Sequence, residues 1–265
     1  MSRSEKVRNT ILITLLFSLV GCSQGAFKTE FGSAEEDFPG FAFQSPDREQ
    51  KISLERQDIV SVGTIKPTVY YFPIINEDQT SCSSKVSLIG KSGENLASIC
   101  QSTLAACSLQ GSCAIVQRNK TRSFNIAGRA HGRDRFFEMT NSPCKYGFGV
   151  KNSCLDPFYS IAADLSIYKA GDVIYVPSAA GLRLPNGGKH NGYFIVRDTG
   201  RSIVGKGRFD FFSGYYSWRD PKNPFKSLGL GDKRTKLTFY KVSGETAQTV
   251  LEGRDFPKLP NSSKL

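Results

Sequence analysis

Short runs of alternating apolar and polar residues, cut by glycine and proline, fill the second half of the chain. They cover residues 122–127, 172–177, 193–198, 209–212 and 236–242. Alternation with period two places one face of a strand in a core and the other towards solvent. Residues 64–75 (TIKPTVYYFPII) are β-branched and aromatic and predict a further strand, interrupted by Pro67 and Pro73. Many short strands with glycine-rich turns, no long amphipathic helix and no internal repeat predict an all-β barrel or sandwich. Residues 76–121 differ. They hold Cys82, Cys100, Cys107 and Cys113, and the spacing of Leu96, Ile99 and Leu104 predicts a short helix. This segment reads as a cysteine-rich insertion within a domain spanning residues 64–244. Residues 23–63 lack a sustained period and read as a tether, although Phe27, Phe31, Phe38, Phe41 and Phe43 are unusual in one. Residues 245–265 read as a loose tail.

The first residues carry an address. Arg3, Lys6 and Arg8 precede an apolar run from Ile11 to Val20, which is too short for a permanent membrane span. The run ends in Leu19-Val20-Gly21-Cys22. This resembles the bacterial lipobox, which implies lipidation at Cys22 and removal of the preceding residues, so 1–22 is expected to be a lipoprotein signal peptide and lipobox. Ser23 rather than Asp follows the cysteine, so retention at the periplasmic face of the outer membrane is the expected location.

Export changes how the rest of the composition reads. Of seven cysteines, setting Cys22 aside leaves six, an even set that reads as disulfides in an oxidising compartment. Six cysteines allow 15 pairings; local pairs, 82–100, 107–113 and 144–154, are the expectation. Zinc is disfavoured, because there is no C-x-x-C and the only histidines, His131 and His190, are far apart. No metal or other cofactor is expected. The formal charge of +11 favours a polyanionic partner. Outside the cytoplasm, acidic wall polymer and anionic lipid are available and nucleic acid is not. No basic-aromatic motif of the RNA-binding kind occurs either.

The candidate chemistry sits in residues 191–214, NGYFIVRDTGRSIVGKGRFDFFSG. A strand delivers Asp198 into the turn Asp198-Thr199-Gly200. A loop with Gly205 and Gly207 follows, then a strand carrying Asp210 within Arg208-Phe209-Asp210-Phe211-Phe212. A third acid, Asp164, lies upstream in Ala162-Ala163-Asp164. Three acids in this order, with Ile203 and Gly205 between the last two, resemble the three-aspartate (3D) domain, the catalytic barrel of the membrane-bound lytic transglycosylase A family. Tyr70-Tyr71-Phe72-Pro73 is similar to the motif that opens that barrel. The resemblance spans residues 64–73 and 122–242. It implies a six-stranded double-psi β-barrel, cleavage of MurNAc–GlcNAc bonds in peptidoglycan glycan strands, and a monomer. It further implies Asp210 as acid/base, Asp198 as its electrostatic and hydrogen-bonding partner, and Asp164 in support. Tyr70, Tyr71, Thr199, Gly200, Tyr215 and Tyr216 are candidate substrate contacts. Two departures stand out: Arg201 occupies the place of the family's second glycine after Asp-Thr, and Tyr168-Lys169-Ala170-Gly171 keeps only the last residue of Ile-Pro-Leu-Gly. The insertion is shorter than the family's second domain, which implies a shallower groove.

The residues themselves support glycan chemistry. Breaking a glycosidic bond needs a proton donor at the leaving oxygen, and a carboxyl serves when burial or a second carboxylate raises its pKa. Phe209, Phe211 and Phe212 surround Asp210 in sequence. Other readings compete. Asp-Thr-Gly also signs aspartic proteases, but only one copy is present and Arg197 precedes it where an apolar residue is usual. The stretch Gly200 to Lys206 imitates a phosphate loop, yet Gly207 stands where Ser or Thr would hold magnesium. A wall-binding module similar to expansins, or a hydrolase using two aspartates, would share the same barrel.

Overall fold

The computed structural model describes residues 52–232 and 234–260. The lipobox at Cys22 and most of the expected tether lie outside them. None of the described helices is long and apolar enough to cross a membrane.

Six strands close a barrel: β1 (Ile59–Tyr70), β8 (Ser160–Ala162), β9 (Val173–Tyr175), β10 (Tyr193–Asp198), β11 (Arg208–Phe212) and β12 (Leu237–Val242). Their order around the barrel is β1-β11-β8-β10-β9-β12. Two neighbouring pairs are parallel, β1 with β11 and β8 with β10; the other four are antiparallel. The pairing has a two-fold pattern, with β1, β11 and β12 matched by β10, β8 and β9. This is the double-psi arrangement. Alternation fills the interior. Ile65, Ile161, Ile174, Phe194, Val196, Phe209, Phe211 and Phe239 form one buried cluster, capped by Phe225 and Leu230. Pro67 does not break β1. It pairs with Phe209 inside the parallel ladder, while the chain ends the strand before Pro73.

A second lobe grows from the end of β1. Strands β2 (Ile74–Asn76), β5 (Ser112–Gln117), β6 (Lys120–Ala130) and β7 (Arg133–Glu138) form one sheet, and β3 (Lys85–Ile89) pairs with β4 (Asn95–Cys100). Helix α1 (Gln101–Gln110) links β4 to β5. The insertion is therefore larger than residues 76–121, and residues 122–127, expected in the barrel, lie in β6 of this lobe. Alternation reports that a segment is a strand but not its partner. Here the two-residue turn Arg118-Asn119, both with positive φ, pairs β6 locally with β5. Asp78 accepts from both turn amides. The expected helix begins only at Gln101, since Leu96 and Ile99 belong to β4. Glu77 accepts from the amide of Cys100 and the hydroxyl of Thr103 at the start of α1, where exposed N–H groups favour an anion.

The three disulfides join Cys82 to Cys100, Cys107 to Cys113 and Cys144 to Cys154, the local pairs expected from sequence. Two further boundaries move. β1 starts at Ile59, so the last residues of the expected tether pair with β12. The described part of the expected tail is not loose: α2 (Gly244–Gly253) lays Val250, Ala247 and Leu251 on Val173, Tyr193, Ile195 and Val242. Asp58 accepts from the amide and hydroxyl of Thr246 and so ties the start of α2 to the start of β1. Small residues make this apolar face too faint to stand out as a period.

Candidate active site

The barrel register brings two of the three acids together. Asp210 on β11 and Asp198 on β10 both pair with Ala162 on β8, which runs between them. Two strand spacings separate the acidic positions, about 10 Å between Cα atoms. A slip between Val196 and Asp198 sets this register.

Each carboxyl is held differently. Thr68 on β1 lies opposite Asp210, and its Oγ1 donates to Asp210 Oδ1 at 2.7 Å. Arg208 donates to the same Thr68 oxygen at 2.8 Å. Because the guanidinium has only donors, Thr68 accepts from Arg208 and must direct its own proton to Asp210. Asp198 Oδ1 accepts from the Thr199 amide at 2.8 Å. The buried phenol of Tyr70 lies beside Asp198, and its ring packs on Phe212 at 5.0 Å. Burial, then the charges of Asp198 and Asp210, push that phenol well above its usual pKa.

Both carboxyls are shifted upward. Burial raises Asp198 to about 7; the Thr199 amide and Tyr70 oppose the rise, and the Asp210 charge adds to it. Burial also raises Asp210, against the Thr68 hydroxyl and the Arg208 charge. Desolvation penalises the charged form, and a neighbouring carboxylate adds to that penalty at Asp198.

Asp164 stands apart from this pair. Its carboxylate accepts from Gly205 N at 2.7 Å and from the amide and hydroxyl of Ser166, contacts that hold it below the usual carboxylate range. An anion held in this way staples the loop between β10 and β11. The same loop requires Gly207: φ is +72°, and a Cβ there would stand 2.2 Å from the carbonyl oxygen of Thr64.

The other candidates divide. Tyr70 sits at the acids, and Thr199 and Gly200 form the loop beyond Asp198. Tyr71 turns elsewhere, its phenol beside Ser217 and Arg219 and its amide donating to Gln110 of α1. Tyr215 is buried in the cluster between barrel and second lobe, with Tyr70, Tyr146 and Phe212. Tyr216 packs on Tyr215 and Phe158. Thr68 and Arg208 escaped the reading of the sequence. Threonine on a strand looks like an ordinary β-former, and only the parallel register shows its partner.

Residues 159–218 match the 3D domain. The matched segment holds Asp164, Asp198 and Asp210, together with Ala162 and Arg208. Among solved structures, the chain is similar to MltA from Escherichia coli with bound chitohexaose, at 16% identity and a TM-score of 0.47, covering 68% of this chain and 72% of that one. It is also similar to a membrane-bound lytic murein transglycosylase from Agrobacterium tumefaciens, at 12% identity and a TM-score of 0.43, covering 72% and 75%. A third is the lytic transglycosylase LtgG of Burkholderia pseudomallei, at 16% identity and 0.36, covering 68% and 71%. No curated protein matches the chain. These likenesses are distant, and the chemistry of the 3D segment rests on its own geometry.

Proposed function

We propose that the chain is a peptidoglycan lytic transglycosylase, anchored through Cys22 to the periplasmic face of the outer membrane. It acts as a monomer on MurNAc–GlcNAc bonds and needs no cofactor. One observation carries this reading: within the 3D match, Asp198 and Asp210 meet across Ala162, and burial raises both pKa values. A proton kept on a carboxyl near neutral pH is what glycosidic cleavage requires.

Asp210 is the acid/base. Thr68 occupies Oδ1 and leaves Oδ2 for the substrate. Asp210 gives its proton to the oxygen leaving C1 of MurNAc, and the C1–O bond breaks. The C6 hydroxyl of the same sugar then bonds to C1 and returns its proton to Asp210. The product is a 1,6-anhydro ring, and no water is consumed. Asp198, on the far side of Ala162, faces the charge that develops at C1.

The test is a digest of purified sacculi by protein lacking residues 1–22, read by mass spectrometry. Anhydro-ended fragments, one water lighter than hydrolysis products, are the expected result. Reducing-end fragments would instead make the chain a hydrolase. Sedimentation with sacculi and no product would make it a binding module.

Thr68→Val keeps the shape of the side chain and removes the donor. With its carboxylate less stabilised, the pKa of Asp210 rises and the oxygen loses its fixed orientation. The rate of anhydro-product release should fall about tenfold, with KM little changed, as expected for a contact that orients the acid. Its high-pH limb should move upward. Steady-state kinetics across pH check both.

A further inference from the structure

Arg201, the residue that departs from the family pattern, leaves the catalytic loop and reaches the second lobe. Its NH2 donates to Asp134 Oδ1 at 3.0 Å, at the tip of the β6–β7 hairpin. The Arg201 side chain is 69% exposed and that of Asp134 only 16%. A single contact to a half-buried acid anchors the guanidinium and leaves its other N–H groups in solvent. The hairpin around Asp134 is cationic. Arg129 pairs with Asp134 across the hairpin, and Arg133 and Arg135 flank it in β7. Arg129 and Arg133 are exposed. Nε of Arg135 is buried without a hydrogen-bond partner among the described residues. Strand alternation places Arg135 on the same sheet face as Phe137, which packs against the cluster between the lobes. Arg129 therefore shares the sheet face of Asp134 and Arg201 reaches it from the loop, three residues beyond Asp198, while Arg133 and Arg135 lie on the opposite face of β7.

We propose that this cluster is a carboxylate-binding subsite that selects glycan strands still carrying their acidic peptide stems. This rests on the transglycosylase reading of the neighbouring pair. Guanidinium groups bind carboxylates bidentately and with charge assistance. In a wall glycan the carboxylates nearest the scissile bond belong to the peptide on MurNAc. Asp134 cannot neutralise both Arg201 and Arg129, so this face keeps a positive surplus for an external anion. Arg201 lies in the loop that begins with Asp198, so the same loop holds the acid and the peptide contact.

The test separates binding from cleavage. Two probes are prepared from one batch of labelled glycan strands: intact, and stripped of peptides by an amidase. Binding is measured by fluorescence anisotropy with the Asp210→Asn protein. Intact strands should bind about tenfold more tightly than stripped ones, a gap worth roughly 1.4 kcal/mol. Arg201→Ala or Arg129→Ala, each added to that background, should shrink the gap to about threefold or less, the scale of losing one charge-assisted contact. Both alter exposed side chains, and circular dichroism confirms that they fold. Arg201→Lys should recover only part of the gap, because an ammonium cannot bind bidentately. Equal binding of the two probes, or a gap that survives both sets of changes, would overturn the subsite. Failure of the wild-type protein to release anhydro products from either probe would sink the transglycosylase reading, and the binding comparison would still decide the subsite.

Discussion

Asp210→Asn should lower anhydro-product release from sacculi by at least about a thousandfold, the scale on which loss of an acid/base group is felt. The amide cannot give up a proton, yet it still accepts from Thr68, whose Oγ1 lies 2.7 Å from Oδ1 in the native protein. The barrel should fold and bind strands as before, so the loss falls on kcat and not on KM. Asp198→Asn provides the contrast. It keeps an acceptor for the Thr199 amide but removes the carboxyl that burial raises to about 7. The pH dependence separates the two roles. Desolvation raises both folded-state values above the ordinary carboxylate range, with about 7 at Asp198. The pair therefore keeps a proton below about pH 7, and wild-type activity should fall as pH rises through that value. In Asp198→Asn the group that titrates near 7 is gone, so this limb should follow Asp210 alone while measurable activity persists. Kinetics from pH 4 to 9 on both variants check the assignment. An Asp210→Asn protein that retained the wild-type rate would move the acid/base role to Asp198.

The parts of this site that were legible share a property: they depend on local sequence. β10 and β11 carry strict alternation, so Phe194, Val196, Phe209 and Phe211 identify the inner face without knowledge of the partners. The acids appear in order along the chain, and each disulfide closes a short loop. What stayed hidden depends on pairing across long separations. Thr68 meets Asp210 across 142 residues, and Asp134 meets Arg201 across 67. Residues 122–127 look identical as a barrel strand or as an arm of a local hairpin, and only the Arg118-Asn119 turn decides between them. The meeting of Asp198 and Asp210 was expected from the strands closing around one loop. That Ala162 separates them came only with the register. Arg197 is the sharpest case. A charged residue inside the Asp198 strand seemed out of place, and its partners lie mostly at the far end of the chain.

Those partners explain the second large effect. Arg197 is fully buried. It donates to the carbonyls of Cys154, Arg254, Pro257 and Lys258 at 2.8–3.1 Å. Burial lowers its pKa to about 10, still high enough to keep the charge at neutral pH. Arg254, also buried, donates twice to Asp156, at 2.8 and 2.7 Å, and lies over the Tyr159 ring at 3.7 Å. Asp156 is thus the one acid set against two buried guanidinium groups, since Arg197 approaches it at 3.9 Å. Removing it leaves two cations without a counter-charge in a site that water cannot enter. Asp156→Ala should cost about 3–5 kcal/mol, the usual penalty for breaking a buried ion pair from one side. Asp156→Asn should cost less, because one acceptor survives. The loss has a location as well as a size. Arg254 directly follows α2, so the last turn of that helix and the segment through Lys258 should be released first. Amide exchange in Gly244–Gly253 should accelerate more than in the interior strands β10 and β11. Because Arg197 is the residue before Asp198, the release should reach the active site too. At temperatures where the barrel of Asp156→Ala remains folded, it should show reduced turnover. Urea denaturation, amide exchange and product assays on one preparation would show whether this clamp holds Asp198 in place, or only the end of the chain.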